Sequence, residues 1–471
     1  MRSKQCVRCL LLLAVPVGLW LTGPQAQTGT QTGVQSPEAH SEPALVGTAS
    51  CSARGCHGAI TPEKGERIEQ NENTIWLTQD KHARAYEVLL GQRSEEIIAK
   101  LHRTQPAEKD KQCLACHVTP AAAGDSPSAT VQERLSGVGC EACHGYASRW
   151  LNEHTTEAWQ RKEPAEKHAL GMTPPGDWKA FAEKCTGCHI GAPAKGTAPL
   201  RDMNHDLIAA GHPRLSFEFG VYLANLPQHW SDQIVKERPA DFEARVWEVG
   251  QLASAHAALK LLKDRAAHAN QEGRPWPELS EYDCYACHHD LKQPSWRQDR
   301  PRDGTHKPGS LRWGDWYLSM PRFLAARTPG VADTLVPLLN DLSRRMQQPY
   351  PNPESVRDSA EKNADKFKVW LDRSGGEYDT KARSTIWKQL LAEGGRVSSW
   401  DSAEQLYLAL VALNQVSPDP ATAQILDKMA SQLAFPQDPK RYSSPNGSES
   451  DPIKSFEQQL KMLGDIPGKA R

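Results

Sequence analysis

Gly137-Val-Gly-Cys140-Glu-Ala-Cys143-His144-Gly145 is the stretch on which the reading of this chain turns. It contains Cys140-x-x-Cys143-His144, the spacing that attaches a c-type haem. Two thiols three positions apart can each add to one vinyl group of a porphyrin. The histidine that follows is then carried under the iron as an axial nitrogen ligand. A single Cys-x-x-Cys with a nearby His would equally suit half of a zinc site. Repetition decides between them. Cys113-Leu-Ala-Cys116-His117, Cys185-Thr-Gly-Cys188-His189 and Cys284-Tyr-Ala-Cys287-His288 carry the same word. Zinc ribbons need paired knuckles, but have no reason to place His directly after the second Cys each time.

The cysteine count points the same way. Of 12 Cys, Cys6 and Cys9 lie at the N-terminus, ahead of Leu10 and the apolar residues that follow it, and the four words use eight of the others. The last two lie in Cys51-Ser-Ala-Arg-Gly-Cys56-His57, the same word with a loop two residues longer. A disulfide between Cys51 and Cys56 beside a chance histidine is the alternative. The terminal His57, in a chain already built on this word, favours a fifth haem c. Covalent attachment is thus expected at Cys51, Cys56, Cys113, Cys116, Cys140, Cys143, Cys185, Cys188, Cys284 and Cys287. The proximal iron ligands are then His57, His117, His144, His189 and His288.

The 471 residues suffice for two or three domains. The hydrophobic fraction of 38% is low for one large aliphatic core, and mean hydropathy is −0.62. Porphyrins resolve that tension by supplying apolar surface of their own, and 14 Trp agree with it. Arg2, Lys4 and Arg8 precede an apolar run over 9–21, with small residues near Ala26, so 1–26 reads as an export signal. Thioether attachment outside the bacterial cytoplasm agrees with export, and a periplasmic or otherwise exported location is expected. Removing 1–26 takes the formal charge from −1 to −4 and leaves no membrane span. No clustered basic face suggests nucleic acid. The partners implied are other redox proteins acting as electron donor and acceptor, quinol-linked or outer-surface ones included.

Residues 27–46, rich in Gln, Thr, Gly, Ser, Pro and Glu, read as a disordered tether. A five-haem region of helix and loop with little strand is expected over 47–298, followed by a charged, turn-rich linker over 299–310. Beyond it there is no cysteine, and plain helical periodicity takes over. Leu335, Leu338, Leu339, Leu342 and Met346 recur at helical spacing, as do Leu406, Ala409, Leu410 and Leu413, then Ile453, Phe456, Leu460 and Leu463. Gly375-Gly376, Gly394-Gly395 and Pro418-Asp-Pro420 separate these stripes. Residues 311–471 are expected to form an all-helical bundle of about six helices. The fold class is mainly α.

The far side of each iron needs a second ligand. Methionine cannot serve throughout, because only Met172 and Met203 lie between Val46 and Gln298. Histidine is plentiful. His82 would share a helical face with Ile75, Tyr86 and Leu89. His154 follows the Gly145 turn in Arg149-Trp-Leu-Asn-Glu-His154. His205 and His212, seven apart, would share a face of a helix that Gly211-His212-Pro213 must end. His256 lies on a helix expected over 244–263, among Leu252, Ala253 and Leu259. These five are the distal candidates. His289 follows a proximal ligand and points away from that iron, while His102, His168, His229 and His268 have polar surroundings.

The segment 137–145, Trp76 with Asp80-Lys-His82-Ala-Arg-Ala, and His154 downstream resemble the cytochrome c-554 family over roughly residues 48–192. That resemblance implies a periplasmic, mainly helical multihaem cytochrome that stacks haems in close pairs to pass electrons. It implies that His82 and His154 are distal ligands, opposite His189 and His57. It also implies that the haem of His117 has no side-chain ligand on its far side. This chain departs from the family in its Cys51–Cys56 word, in the word at Cys284, and in its long C-terminal part. Two functions follow. Bis-histidine haems suit electron transfer between partners, at low potential because imidazole lacks the potential-raising thioether. A five-coordinate haem at His117 would suit a redox enzyme acting on a small nitrogen or sulfur oxyanion, or on nitric oxide. No Cys-x-x-Cys-Lys word is present.

Overall fold

The computed structural model describes residues 43–63, 68–120, 131–196, 198–284, 287–288, 311–314, 316–325, 327–328, 330–393, 397, 399–433 and 452–466. The expected export signal, most of the tether, the linker and His289 lie outside the described residues. The last tether residues are described and are held: the Ala44 N–H donates to Ser148 Oγ at 2.8 Å and the Val46 N–H to Glu141 Oε1 at 3.0 Å. All described residues belong to one unit, Pro43–Arg471. The architecture is mainly α, and the strands among the described residues are one antiparallel pair, Gly191–Ala192 with Arg201–Asp202.

The central element is the helix Phe242–Ala267. Its sequence is rich in Ala, Leu and Val on every side, as expected of a helix enclosed by protein, and Leu252, Ala253, Ala255, Leu259 and Leu262 are fully buried. It packs along Pro353–Arg373 and against Trp178–His189 and Trp400–Val416. One core therefore runs from Ala182 to Leu463 without a break at residues 299–310. At the end of the long helix, buried Arg265 pairs with Asp202 and Glu281, tying the strand pair to the approach of the Cys284 word.

The C-terminal stripes are buried as their spacing demands. Leu335, Leu339, Leu342 and Met346 pack inward on Val331–Met346, whereas Leu338 is half-buried. Leu406, Ala409, Leu410 and Leu413 do so on Trp400–Val416, and Phe456, Leu460 and Leu463 on Pro452–Gly464. Ser399 caps the Trp400 helix through a reciprocal bond with Ser402, and Asp401 places a negative charge in its first turn. Before residue 182 the packing differs. Among the described residues there, the buried apolar clusters are two small ones, one around Leu89, Leu114 and Val118 and one of Ala147, Trp150 and Trp159. No helix among the described residues is long and apolar enough to cross a membrane.

Candidate metal centres

Each word places its sulfurs and imidazole by local helix geometry. In an α-turn, positions i, i+3 and i+4 share one face. Cys113, Cys116 and His117 end the helix Lys111–His117, whose N-cap Asp110 accepts the Gln112 N–H at 2.8 Å. Cys140–His144 is a single helical turn, and Cys185, Cys188 and His189 close the helix Trp178–His189. The His288 N–H donates to Cys284 O at 2.8 Å, one further helical turn. In the longer word, the Cys56 N–H and Gly58 N–H both donate to Ala53 O, at 2.9 and 3.0 Å. That turn takes up the extra residues. None of the ten cysteines of the words is joined in a disulfide.

The five proximal imidazoles each face a second imidazole. His57 faces His154 at 6.3 Å between ring centres, His82 faces His189 at 6.0 Å, and His117 faces His212 at 6.2 Å. His144 faces His229 and His205 faces His288, both at 6.3 Å. These spacings are too wide for contact and too regular for chance. An imidazole–metal bond of about 2 Å on each side, with about 1.1 Å more from each nitrogen to its ring centre, separates two opposed imidazoles by roughly 6.2 Å. Among the described residues no group of three or more His, Cys, Asp and Glu is arranged to hold a metal ion. Each pair would offer two imidazole donors to a group held between the rings, with the two thiols of a word nearby. That donor set fits haem c.

Second-sphere contacts hold the rings. His57 Nδ1 lies 2.9 Å from Glu72 Oε2, and His82 Nδ1 lies 2.9 Å from Asp80 Oδ1. Backbone carbonyls hold the others: Ala85 O at 2.6 Å from His117, Leu151 O at 2.5 Å from His154, Pro213 O at 2.9 Å from His212 and Pro227 O at 3.0 Å from His229. An N–H directed at such an acceptor fixes the tautomer that turns the Nε2 lone pair toward a metal. Burial pushes His144 and His189 down to about 4, so both are neutral imidazoles at pH 7, the form that ligates.

Several positions differ from the sequence expectations. His256 meets none of the proximal rings; its Nδ1 sits 3.7 Å from Glu183 Oε1, and its apolar neighbours pack against protein. His229, read as a polar-surface residue, stands opposite His144 in its place. The segment around His82 is not one helix. It breaks at Asp80, in extended conformation, whose carboxylate caps the short 3-10 turn Lys81–Arg84 and accepts the His82 N–H. Competition by this side chain ends the helix that the apolar spacing suggested. The far side of His117, expected to lack a side chain, faces His212. His205 opens and His212 follows one short helix, His205–Ala210, which stops at Gly211 with φ +124°.

The words also adjoin one another. The thiols of Cys51 and Cys140 are within hydrogen-bonding reach, as are those of Cys116 and Cys188. Cys143 lies within electrostatic range of Cys185 and Cys188. Gly137, in the stretch quoted first, lies against the His82 turn: a Cβ there would stand 2.5 Å from His82 O, and its φ of +59° also favours glycine. The adjacent Val138 N–H donates to that same oxygen at 3.0 Å.

Residues 50–145 match the family model for cytochrome c554 and c-prime. Cytochrome c-554 of Nitrosomonas europaea is 31% identical over 124 residues, 24% of this chain and 52% of that protein. The chain thus matches about half the length of this curated relative. No solved structure matches it. Set beside the Cys-x-x-Cys-His words within the matched span, these likenesses support a c-type cytochrome whose residues 50–145 are similar to the cytochrome c-554 family.

Proposed function

We propose that the chain is an exported, periplasmic five-haem cytochrome that passes electrons between redox partners through bis-histidine centres. The observation that carries this reading is the set of five imidazole pairs at one iron-spanning separation, 6.0 to 6.3 Å. Bound haem supplies one-electron iron chemistry. The paired histidines would hold the iron from both sides, which would leave a substrate no position on it. Glu72, Asp80 and the backbone carbonyls brace the rings in either charge state, which keeps rearrangement small. The scarcity of side-chain core before residue 182 fits a region that packs on its cofactors.

Contacts between words give the proposed row: Cys51–Cys56 beside Cys140–Cys143, then Cys185–Cys188, then Cys113–Cys116. The segment holding both His205 and His212 joins Cys284–Cys287 to the last of these. An enzyme acting on a nitrogen or sulfur oxyanion would need one open iron, and the side of His117 assigned to it faces His212. Mass spectrometry of the purified chain is expected to show five haem additions; four would remove the Cys51–Cys56 assignment. Ferric electron paramagnetic resonance is expected to show low-spin iron alone. A stoichiometric high-spin signal, with nitric oxide binding, would overturn the reading.

A further inference from the structure

The geometry points to a role for the part of the chain beyond residue 311: it clamps the segment 212–217 and so sets His212 across from His117. The inference rests on the reading of the paired histidines as iron ligands and assigns the part of the chain beyond residue 311 a task within it.

Residues 212–216 form neither helix nor strand, so their position must come from contacts. The His212 ring offers no independent anchor. Its Nδ1 lies 2.9 Å from Pro213 O, its own segment, whereas His117 is held by Ala85 of another element. Wherever the segment goes, the His212 ring goes with it.

Upstream, the haem region holds the chain. Arg93 Nε and Nη2 donate to Gly211 O at 3.0 and 2.7 Å, and Lys100 Nζ to Ala210 O at 3.1 Å. These bonds stop at Gly211, whose conformation is a natural pivot.

Downstream, the holding groups come from beyond residue 311. Arg214 Nη1 and Nη2 donate to Asp401 Oδ1 and Oδ2 at 3.0 and 2.5 Å, a bidentate pair at the first turn of Trp400–Val416. Asp401 is only 3% exposed, and the Arg214 guanidinium lies 5.7 Å from the Trp316 ring centre. Tyr317 OH donates to Leu215 O at 3.2 Å, and Trp316 Nε1 to Phe217 O at 2.9 Å. Three side chains thus fasten positions 214, 215 and 217. A planar guanidinium gripped on both nitrogens fixes direction as well as distance. With His212 two residues from that grip and separated from it by the stiff Pro213, slack at Asp401 becomes displacement of the ring.

The test uses the full haem-loaded chain, with ferric paramagnetic resonance and carbon monoxide uptake by the reduced protein as readouts. H212A sets the reference for an opened His117 centre. D401A is expected to gain high-spin signal and carbon monoxide uptake at half or more of the H212A level, with five haems retained. D401E, which restores the carboxylate, is expected to fall well below D401A. D372N, at an exposed pair with Lys368, is expected to match wild type. A folded D401A protein that stays fully low-spin overturns the clamp while leaving the proposed function intact. If D401A does not accumulate, the W316F/Y317F double variant, which deletes the two bonds to backbone carbonyls, is read in the same way. An H212A protein indistinguishable from wild type would instead overturn the ligand reading beneath it.

Discussion

His229 stands opposite His144 across 6.3 Å with the two ring planes crossed at 86°, while His256 is turned to Glu183 at 3.7 Å. The two histidines therefore predict different phenotypes. H229A is expected to convert one of the low-spin irons to high-spin, seen in the ferric paramagnetic resonance spectrum. H256A should leave that spectrum unchanged. The reverse result would return His256 to the axial position.

The ring angles fall into two classes. His57/His154 and His205/His288 are near parallel, at 19° and 28°, whereas the other three pairs cross at 86° to 88°. Parallel imidazoles act on one iron d orbital of a near-degenerate pair, and crossed imidazoles act on both alike. Axial ligand geometry is one of the levers by which protein tunes haem. Two rhombic low-spin signals and three of the strongly anisotropic type with one large g value are expected at low temperature. H205A should delete a rhombic signal, and H82A one of the anisotropic three.

Two axial rings are hydrogen-bonded to carboxylates and four to backbone carbonyls. An anionic acceptor on Nδ1 makes an imidazole a stronger donor to iron and favours the oxidised state. Glu72 at 2.9 Å from His57, and Asp80 at 2.9 Å from His82, should therefore lower the potentials of their own centres. E72Q and D80N are each expected to raise one midpoint by on the order of 50 mV, about tenfold in a one-electron equilibrium, with the rest unmoved. Optical redox titration of wild type and both variants measures it. The Asn side chain at position 80 can still cap the turn, which separates the electronic effect from loss of structure.

Sequence reasoning reached the attachment words because thioether chemistry dictates their spacing locally. It reached the C-terminal helices because burial of one face imposes a 3.6-residue period on a chain with no cofactor to pack against. His256 was read as a distal candidate for the same physical reason. Leu252, Ala253 and Leu259 form a face that looks alike whether it meets a porphyrin or another helix. His229 carries no periodic signal. It lies between helices in Leu226-Pro-Gln-His229-Trp230, held by Pro227 O and the Trp230 ring, whose centre is 5.1 Å away. A weak trace was present: His82 and His229 are both anchored by the residue two before them, Asp80 through its side chain and Pro227 through its carbonyl. The clamp on 212–217 links residues 99 to 187 positions apart, and no local pattern encodes such a pairing.

Glu218 sets a pH dependence of stability. It caps the helix Phe219–Asn225, accepting the Val221 N–H at 2.7 Å, yet it is 4% exposed and its Oε1 has no hydrogen-bond partner. Burial pushes its carboxyl up to about 7 from an ordinary value of 4.5, against the lowering effect of the Val221 and Gly220 N–H groups. A raised acid binds its proton more tightly in the folded state than in the unfolded one. Between about pH 4.5 and 7 the folded protein then holds a proton that the unfolded chain has released, so stability falls as pH rises through that window and levels off above it. The full effect is about 3 kcal/mol at most. E218Q, neutral at every pH and able to keep the cap, should lose this slope. Urea midpoints of wild type and E218Q, taken from pH 4.5 to 8, are expected to converge at the acid end and separate toward neutrality, with the variant the more stable. Parallel curves would show that Glu218 is ionised in the folded protein throughout.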